Sequence, residues 1–303
     1  LTSVSIRDNE TILDGGGAYI ESCAPSIIGS KIANNTAWRD GGGLFGDFGF
    51  AHLEGSIVRE NTAHRDGGGA RSLGSELGFV DAEIVSNSAG GDGGGLYLSS
   101  WSESSIATTL VSANTAGADG GGVFVTEDSP LFVDSLVTGN RASRGGGAFN
   151  GMRAVATYLN SVFHGNAVSD RGDGIYDAAF SEVDVVNTIT FGNGAIEIFD
   201  EEQSKTEVRY SDVRGGYPGA FNIDADPLFK APGTWDDAET PGEIADDIWS
   251  NGDYHLEEGS PCVDNADETS SPPADADGED WEDIENAGLP DTAADIGAYD
   301  CES

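Results

Sequence analysis

Basic residues are scarce in this chain. Lysine and arginine number 14 against 54 aspartates and glutamates, which gives 303 residues a formal net charge of -40. This balance excludes a general affinity for nucleic acid or for anionic membrane surfaces, because both would be repelled. The charge also keeps a chain soluble at high salt, where self-repulsion is screened. We interpret it as a solvated, saline-adapted surface, with a specific cationic ligand as the alternative.

Cysteine and long apolar runs are scarce as well. The cysteines are Cys23, Cys262 and Cys301. Cys262 and Cys301 flank one acidic segment, and a disulfide between them would fit an oxidising, extracytoplasmic location. No apolar run is long enough to span a membrane, and no signal peptide is visible. Because the first residues already follow the repeat described next, we expect the chain to be a mature or excised piece.

A sustained 3.6-residue apolar period, the mark of helical repeats, is also missing. The chain instead repeats every 26 or 27 residues, which is the strongest signal in the sequence. The repeated asparagines are Asn9, Asn35, Asn61, Asn87, Asn114, Asn140, Asn166 and Asn193. Glycine triplets begin at Gly15, Gly41, Gly67, Gly93, Gly120 and Gly145, with Gly172-Asp173-Gly174 as a degenerate copy. Two markers that keep one period over most of the chain indicate stacked structural units.

The repeat unit has the composition of strands and turns. Apolar, mostly β-branched or aromatic residues stand three and eight positions before the asparagines, with Thr190 as the one exception at the first of these positions. Gly, Asn, Asp and Ser are frequent in the segments between them. Such a unit forms a coil of two or three short strands that buries its apolar side only by stacking on neighbours. The predicted fold class is all-β: a right-handed parallel β-helix of about eight 26-residue rungs over residues 1–199, with the last rungs and an irregular acidic cap over 200–303.

Stacking gives the asparagines and glycines structural roles. Equivalent residues of a parallel solenoid lie about 4.8 Å apart, so asparagine amides can hydrogen-bond to the copies above and below. We predict this ladder for Asn35, Asn61, Asn87, Asn114, Asn140 and Asn166. A row of ligand-binding asparagines is the alternative. The glycine triplets are predicted to form a crowded corner that needs positive φ.

Aspartates precede most of the triplets. They are Asp14, Asp40, Asp66, Asp92 and Asp119, with Arg144 in the sixth copy. Stacked carboxylates repel one another, so their charge must be offset. We favour solvated or arginine-paired aspartates, and calcium held by Asp40, Asp66 and Asp92 is the alternative, since hard oxygen ligands suit it.

A second calcium candidate lies near the C-terminus. "DADGED" at 275–280 contributes Asp275, Asp277 and Asp280. Pro273 and Ile284 exclude an EF-hand, because that loop needs an acidic residue at each of those positions. The alternative interpretation of this segment is a solvated acidic loop.

Aromatic residues form a stripe in the repeat, because each stands one position after the apolar residue that follows a glycine triplet. The stripe comprises Tyr19, Phe45, Tyr97, Phe124, Phe149 and Tyr176 and is interrupted by Arg71. Strand alternation places it opposite the apolar residue that precedes each member. We predict that the stripe faces the core, because large aromatics are costly to leave in water. An outward stripe would instead offer a platform for sugar rings or a docking surface.

Short motifs extend this interpretation. "GGGAYI" (15–20), "GGGAFN" (145–150) and "FHGN" (163–166) make residues 1 to about 195 resemble the repeat of the chlamydial polymorphic outer membrane proteins. That resemblance implies a right-handed β-helix displayed on a cell surface and brings no catalytic residues. "DADPLF" (224–229) and "DIGAYD" (295–300) resemble the closing segment of secreted bacterial β-helix proteins, which implies an end-cap.

Two functions are compared. A polysaccharide lyase needs a base and a cationic group, yet His52, His64, His164 and His255 fall in different repeats. A glycoside hydrolase needs carboxylates on one face, and the candidates are Asp81, Glu83, Asp134, Asp184 and Glu197. We predict an extracellular or cell-surface structural and adhesive protein, such as an adhesin, stalk, matrix or filament component. A secreted carbohydrate-active enzyme is the alternative.

The predicted partners follow from the favoured function. They are a polysaccharide, a cell-surface partner or further copies of the chain, with neither nucleic acid nor a membrane span expected. No catalytic residue and no required cofactor is predicted.

Overall fold

The computed structural model describes residues 1–236, 247–263 and 265–267. Over these residues the chain is an all-β parallel solenoid of about eight turns with about 26 residues per turn, as predicted. Each regular rung contains four short strands, one more than the largest number expected, so four parallel sheets run along the solenoid. No helix in this part of the chain is long and apolar enough to cross a membrane.

Four sheets, numbered by their first strands, build the solenoid. Sheet 1 contains β1 (Ser5–Arg7), β5 (Lys31–Ala33), β9 (Ile57–Arg59), β13 (Glu83–Val85), β17 (Leu110–Ser112), β21 (Leu136–Thr138), β25 (Val162–His164), β29 (Ile189–Thr190) and β32 (Asp212–Val213). Sheet 2 contains β2 (Glu10–Thr11), β6 (Thr36–Ala37), β10 (Thr62–Ala63), β14 (Ser88–Ala89), β18 (Thr115–Ala116), β22 (Arg141–Arg144) and β26 (Ala167–Arg171).

The other two sheets complete each rung. Sheet 3 contains β3 (Ala18–Glu21), β7 (Leu44–Asp47), β11 (Ala70–Leu73), β15 (Leu96–Ser99), β19 (Val123–Thr126), β23 (Ala148–Gly151), β27 (Ile175–Asp177) and β30 (Ile198–Asp200). Sheet 4 contains β4 (Ser26–Ile28), β8 (Phe50–Glu54), β12 (Glu76–Val80), β16 (Ser105–Ala107), β20 (Leu131–Val133), β24 (Val155–Leu159), β28 (Glu182–Val186) and β31 (Lys205–Arg209). Two antiparallel pairs follow, β33 (Phe229–Ala231) with β36 (Asp253–Leu256) and β34 (Thr234–Asp236) with β35 (Ile248–Ser250).

The core lies inside the four sheets. The apolar residues three positions before each asparagine pair in register, as Ile32 with Val58 and Val58 with Ile84 show, and these three are fully buried. The apolar residue after each triplet, such as Leu44 or Leu96, faces the same interior cluster. Each fully buried side chain of this size stabilises the fold by roughly 1.5–3 kcal/mol. The repeat period is therefore the spacing at which each rung covers the apolar side of the next.

Left-handed residues turn the chain at each of the four corners. The sheet 2–sheet 3 corner uses the first glycine of each triplet, such as Gly67 with φ 69°. The corners before sheet 1 and after it use mainly Gly, Asp and Asn, which tolerate this conformation best. The sheet 3–sheet 4 corner differs, because it places Phe48, Trp101, Met152 and Phe180 at positive φ. A side chain with a Cβ costs roughly 1–2 kcal/mol in the left-handed region.

Replacing Gly68 with alanine is expected to destabilise several rungs at once. A Cβ on Gly68 would lie 2.4 Å from the carbonyl oxygen of Gly94 and 2.5 Å from the carbonyl carbon of Ser88, both backbone atoms of the next rung. We expect a loss of about 2–4 kcal/mol, because overpacking against backbone cannot relax by a rotamer change. Thermal unfolding followed by circular dichroism measures the loss.

Gly78→Ala is the matched control. The nearest atom to its new Cβ is Nδ1 of the His52 side chain at 3.1 Å, which can move aside. We expect this variant to unfold within a few degrees of the wild type. Equal melting temperatures for the two variants would contradict the crowded corner.

Candidate functional site

The asparagine ladder is the most regular polar feature of the solenoid. The Oδ1 of Asn87 accepts hydrogen bonds from the main-chain N–H of Asn61 and from its Nδ2, each at 3.0 Å. The Asn61 Nδ2 also donates to the carbonyl oxygen of Ile32 at 3.0 Å. The same geometry joins Asn35, Asn61, Asn87, Asn114, Asn140, Asn166 and Asn193, all of which are buried. The amides are saturated by these bonds, so the ladder is structural and offers no groups to a ligand.

Glu197 closes the ladder, a role that the sequence did not reveal. Its Oε2 accepts a hydrogen bond from the Asn193 Nδ2 at 2.6 Å, in the position that the next asparagine would occupy. Burial raises the pKa of Glu197 to about 7, although Arg214 Nε lies 3.1 Å from Oε1. The available signal was the end of the 26-residue period after Asn193. Glu197 is thereby placed inside the fold and away from a solvent-facing cleft.

Asp173 closes the glycine corner in a similar way. Its carboxylate accepts hydrogen bonds from the main-chain N–H groups of Ala195 and Ile196 at 2.9 and 3.0 Å. Asp173 can occupy the middle position of a glycine triplet, because no further glycine corner stacks on it in the described part of the chain. The loop at Gly194 takes that place. The degenerate triplet in the sequence therefore marks the last stacked corner.

The aspartate row is held by its own backbone and by arginine. Asp40 Oδ1 accepts a hydrogen bond from the main-chain N–H of Asp66 at 3.2 Å, and the bond from Asp92 to Asp66 repeats this. Arg71 Nη1 lies 2.5 Å from Asp40 Oδ2 and 3.2 Å from Asp66 Oδ2. Arg71 thus supplies at two aspartates the positive charge that the repulsion requires.

Asp92 is the least compensated member of the row. Burial, with smaller contributions from the carboxylates of Asp119 and Asp66, raises the pKa of Asp92 to about 6. Asp119 itself pairs with Arg144 at 2.6 Å. Among the residues that the structure describes, no group of three or more His, Cys, Asp or Glu side chains is placed to hold a metal ion. The calcium candidates Asp275, Asp277 and Asp280 lie outside the described residues.

The aromatic stripe faces outward, so the prediction that it lies in the core is wrong. Leu96, Val123 and Ala148 belong to the interior cluster, whereas Tyr97, Phe124 and Phe149 form a separate cluster on the other side of sheet 3. We expected the interior of the solenoid to bury these rings, but the rings of successive rungs cover one another instead. Adjacent rings from Tyr97 to Tyr176 stack with centroids 4.7–5.2 Å apart. Because the ring faces cover one another, the stripe is no platform for sugar rings.

Arg71 fits the stripe as a cation between rings. Its guanidinium carbon lies 4.5 Å from the Tyr97 ring centroid and 6.0 Å from that of Phe45. Its side chain is only 14% exposed, since the rings and Asp40 surround it. The interruption of the aromatic stripe is therefore a cation–π contact that also neutralises the aspartate row.

Carboxylates named from the sequence do meet in one groove. Asp81, Glu83 and Asp134 line a groove of about 270 Å³ between sheets 4 and 1. Burial raises the pKa of Asp134 to about 6. Asp184 lies apart, in a second groove with Glu182 and Glu207 on the outer face of sheet 4.

A buried polar chain crosses the interior near the last rungs. Tyr158 Oη donates to Asn150 Oδ1 at 3.0 Å, and Asn150 Nδ2 donates to Asp177 Oδ1 at 2.8 Å. Thr206 Oγ1 donates to the other Asp177 oxygen at 2.5 Å. Burial raises the pKa of Asp177 to about 7.

The C-terminal segment packs on the outer face of sheet 1. That face changes from Glu83 to Leu110, Leu136, Val162 and Ile189, and the apolar residues contact Phe229, Tyr254 and Leu256. Trp249 lies so close over two corners that only glycine fits at Gly139 and Gly165. Burial against this layer lowers the pKa of His164. The switch from polar to apolar outward residues was the sequence signal for this layer, and it was missed.

Cys262 belongs to the same layer. It is buried, and its Sγ lies 3.3 Å from Asp212 Oδ2. Cys301 lies outside the described residues, so the Cys262–Cys301 disulfide stays a prediction.

Comparison with known protein families, curated proteins and solved structures finds no match to this chain. No family match supports the resemblance to the chlamydial repeat, whereas the parallel β-solenoid itself is shown by the structure. That fold defines the class of protein: a parallel β-solenoid of stacked asparagine and glycine repeats.

Proposed function

We propose that the chain is an extracellular or cell-surface structural and adhesive β-helix that serves as a stalk, matrix or filament component. The observation that best supports this proposal is the unbroken stacking of polar and apolar columns through the repeats. About eight rungs at 4.8 Å give a rod on the order of 35–40 Å long. Each rung of about 26 residues adds about 4.8 Å to the rod and presents the same four faces again. The charge of -40 suits a saline exterior.

A binding and degradation screen tests this function. The purified chain is applied to a glycan array and to cell surfaces, and the same polysaccharides are assayed for cleavage. We expect binding without cleavage products. Release of reducing ends or unsaturated sugars would overturn the structural role. The screen is run with and without Ca²⁺, which we propose as a bridge between the acidic surface and an anionic polysaccharide.

A secreted carbohydrate-active enzyme is the second candidate. The groove formed by Asp81, Glu83 and Asp134 favours it, because glycoside hydrolysis uses one protonated and one ionised carboxyl group. With a pKa of about 6, Asp134 would serve as the acid. If cleavage is found, Asp134→Asn should reduce it by about a hundredfold or more. Asp184→Asn, in the other groove, is the control and should leave cleavage unchanged.

A further inference from the structure

One edge of the solenoid carries large apolar side chains in water. The exposed residues are Phe48, Phe50, Trp101, Met152, Val155 and Phe180, and we call this group the apolar edge. All six lie at the sheet 3–sheet 4 corner or in the first residue of the sheet 4 strand that follows it. Trp101 is 70% exposed and Phe48 is 69% exposed. Single exposed apolar residues are common, but a row along one edge marks an interaction site.

The other corners provide an internal comparison. At every corner the backbone must enter the left-handed region, and three of the four corners do so mainly with glycine or with small or polar residues. Glycine serves equally well at the sheet 3–sheet 4 corner, because Gly74 occupies it in the third rung. The Phe48 ring covers part of Gly74 in the next rung. Phe48, Trp101, Met152 and Phe180 nevertheless add strain at a positive φ, and each stays 59% or more exposed. Neither folding nor solubility explains them, so we attribute them to binding.

Carboxylates flank this edge. Glu76 pairs in register with Phe50, and Glu182 pairs with Val155. Glu103 lies close enough to Glu76 to interact with it electrostatically, and Glu127 stands in the corner itself. Two basic residues lie nearby: Arg153 in the corner itself, and Lys205, which pairs in register with Glu182 and lies beside Glu207. The edge thus combines apolar side chains with a negative border.

We propose that the apolar edge is a docking surface for a basic polypeptide partner that carries apolar side chains of its own. The partner's apolar groups would cover the exposed rings, and its cationic groups would face the glutamates. A net charge of -40 steers such a partner to the rod and repels a second copy of the chain. From rung 2 to rung 7 the edge is roughly 24 Å long, which fits about seven residues of extended chain. The biological setting of this site rests on the adhesive function proposed above.

Peptide probes test the edge directly. The main probe is a fluorescein-labelled octapeptide of alternating lysine and tryptophan, with binding followed by fluorescence anisotropy. A lysine–serine octapeptide carries the charge alone, and a glutamate–tryptophan octapeptide carries the apolar groups alone. We expect the wild type to bind the main probe most tightly and to bind it less tightly as the salt concentration rises.

Two variants with four substitutions each test whether binding depends on the apolar edge or on exposed apolar residues in general. The edge variant carries Phe48→Asn, Trp101→Asn, Met152→Asn and Phe180→Asn. The control variant carries Ile12→Asn, Ile196→Asn, Phe221→Asn and Ile248→Asn, which are exposed positions elsewhere. Asparagine tolerates positive φ, so the edge variant should fold with an unchanged melting temperature. We expect about tenfold weaker binding of the main probe by the edge variant and wild-type binding by the control.

Three results would overturn the proposal. The first is that the edge variant binds the main probe as tightly as the wild type does. The second is that the wild type binds the lysine–serine probe as tightly as the main probe. The third is that sedimentation detects a dimer of the wild type and of the control variant but not of the edge variant. The last result would assign the edge to a second copy. The cell-surface screen keeps the two proposals apart. Wild-type chain that binds the probe but attaches to no surface contradicts only the adhesive function, and wild-type attachment with equal probe binding by both variants contradicts only the edge.

Discussion

Asn114→Ala is expected to lower the free energy of unfolding by about 3–5 kcal/mol, a larger loss than the one expected for Gly68→Ala. The substitution leaves two donors of Asn87 without their acceptor in the interior. It also removes the side-chain donor to the Oδ1 of Asn140 and to the carbonyl oxygen of Ile84, although the main-chain N–H of residue 114 still bonds to Asn140. Water has no access to these groups, because Asn87, Asn114 and Asn140 are at most 1% exposed. Chemical denaturation followed by circular dichroism measures the loss.

Asn9→Ala is the control for the ladder. Asn9 is exposed and donates to Asn35, so its removal leaves unpaired groups at the surface, where water replaces the partner. We expect a loss of about 1 kcal/mol or less. A similar loss for both substitutions would show that the ladder contributes no more inside the solenoid than at its surface.

Stability is expected to fall as the pH rises from about 4 to about 7. Burial is the main cause that raises the pKa of Asp92, Asp128, Asp134 and Asp212 to about 6 and that of Asp177 and Glu197 to about 7. Unfolded carboxyl groups titrate near pH 4, so across this window the folded chain binds more protons than the unfolded chain. The slope of the unfolding free energy against pH is then negative. Each pKa unit corresponds to about 1.4 kcal/mol, and the combined effect should lower the melting temperature by on the order of 10 °C.

The measurement compares melting temperatures at pH 5 and pH 8 in high salt, which screens the repulsion among surface carboxylates. Asp177→Asn removes one buried carboxyl group and should reduce the difference between the two values. His164 acts in the opposite sense, because its lowered pKa costs stability as the pH falls below its ordinary value. A higher melting temperature at pH 8 than at pH 5 would contradict the assignment of protonated interior carboxyls.

The sequence predicted the solenoid because its main contacts are copies of one contact. Ile32, Val58 and Ile84 meet their equivalents one period away, so the period alone contains the strand pairing. The number of strands per rung was harder to predict, because two-residue strands such as Thr62–Ala63 are too short to show an alternating pattern.

The site was harder to predict than the fold. Arg71 was seen only as an interruption, because its two roles depend on residues from three rungs meeting in space. The prediction that Phe124 and Phe149 face the interior was wrong for a related reason. Stacked rings can bury one another outside the core, and alternation alone does not say which side is interior. The apolar edge lies in turns, where no period distinguishes a strained phenylalanine from glycine.

The asparagine ladder also allows the length of the rod to change when whole repeats are duplicated or lost. Its interior asparagines make the same contacts in every rung, whereas Glu197 and Asp173 form the closure only once. Duplication or loss of a whole repeat between Asn35 and Asn140 would therefore change the rod by about 4.8 Å and leave the closure intact. Each added repeat would also extend the sheet 3–sheet 4 corner by one turn. Reach and binding surface can thus evolve by copying segments, without inventing new contacts.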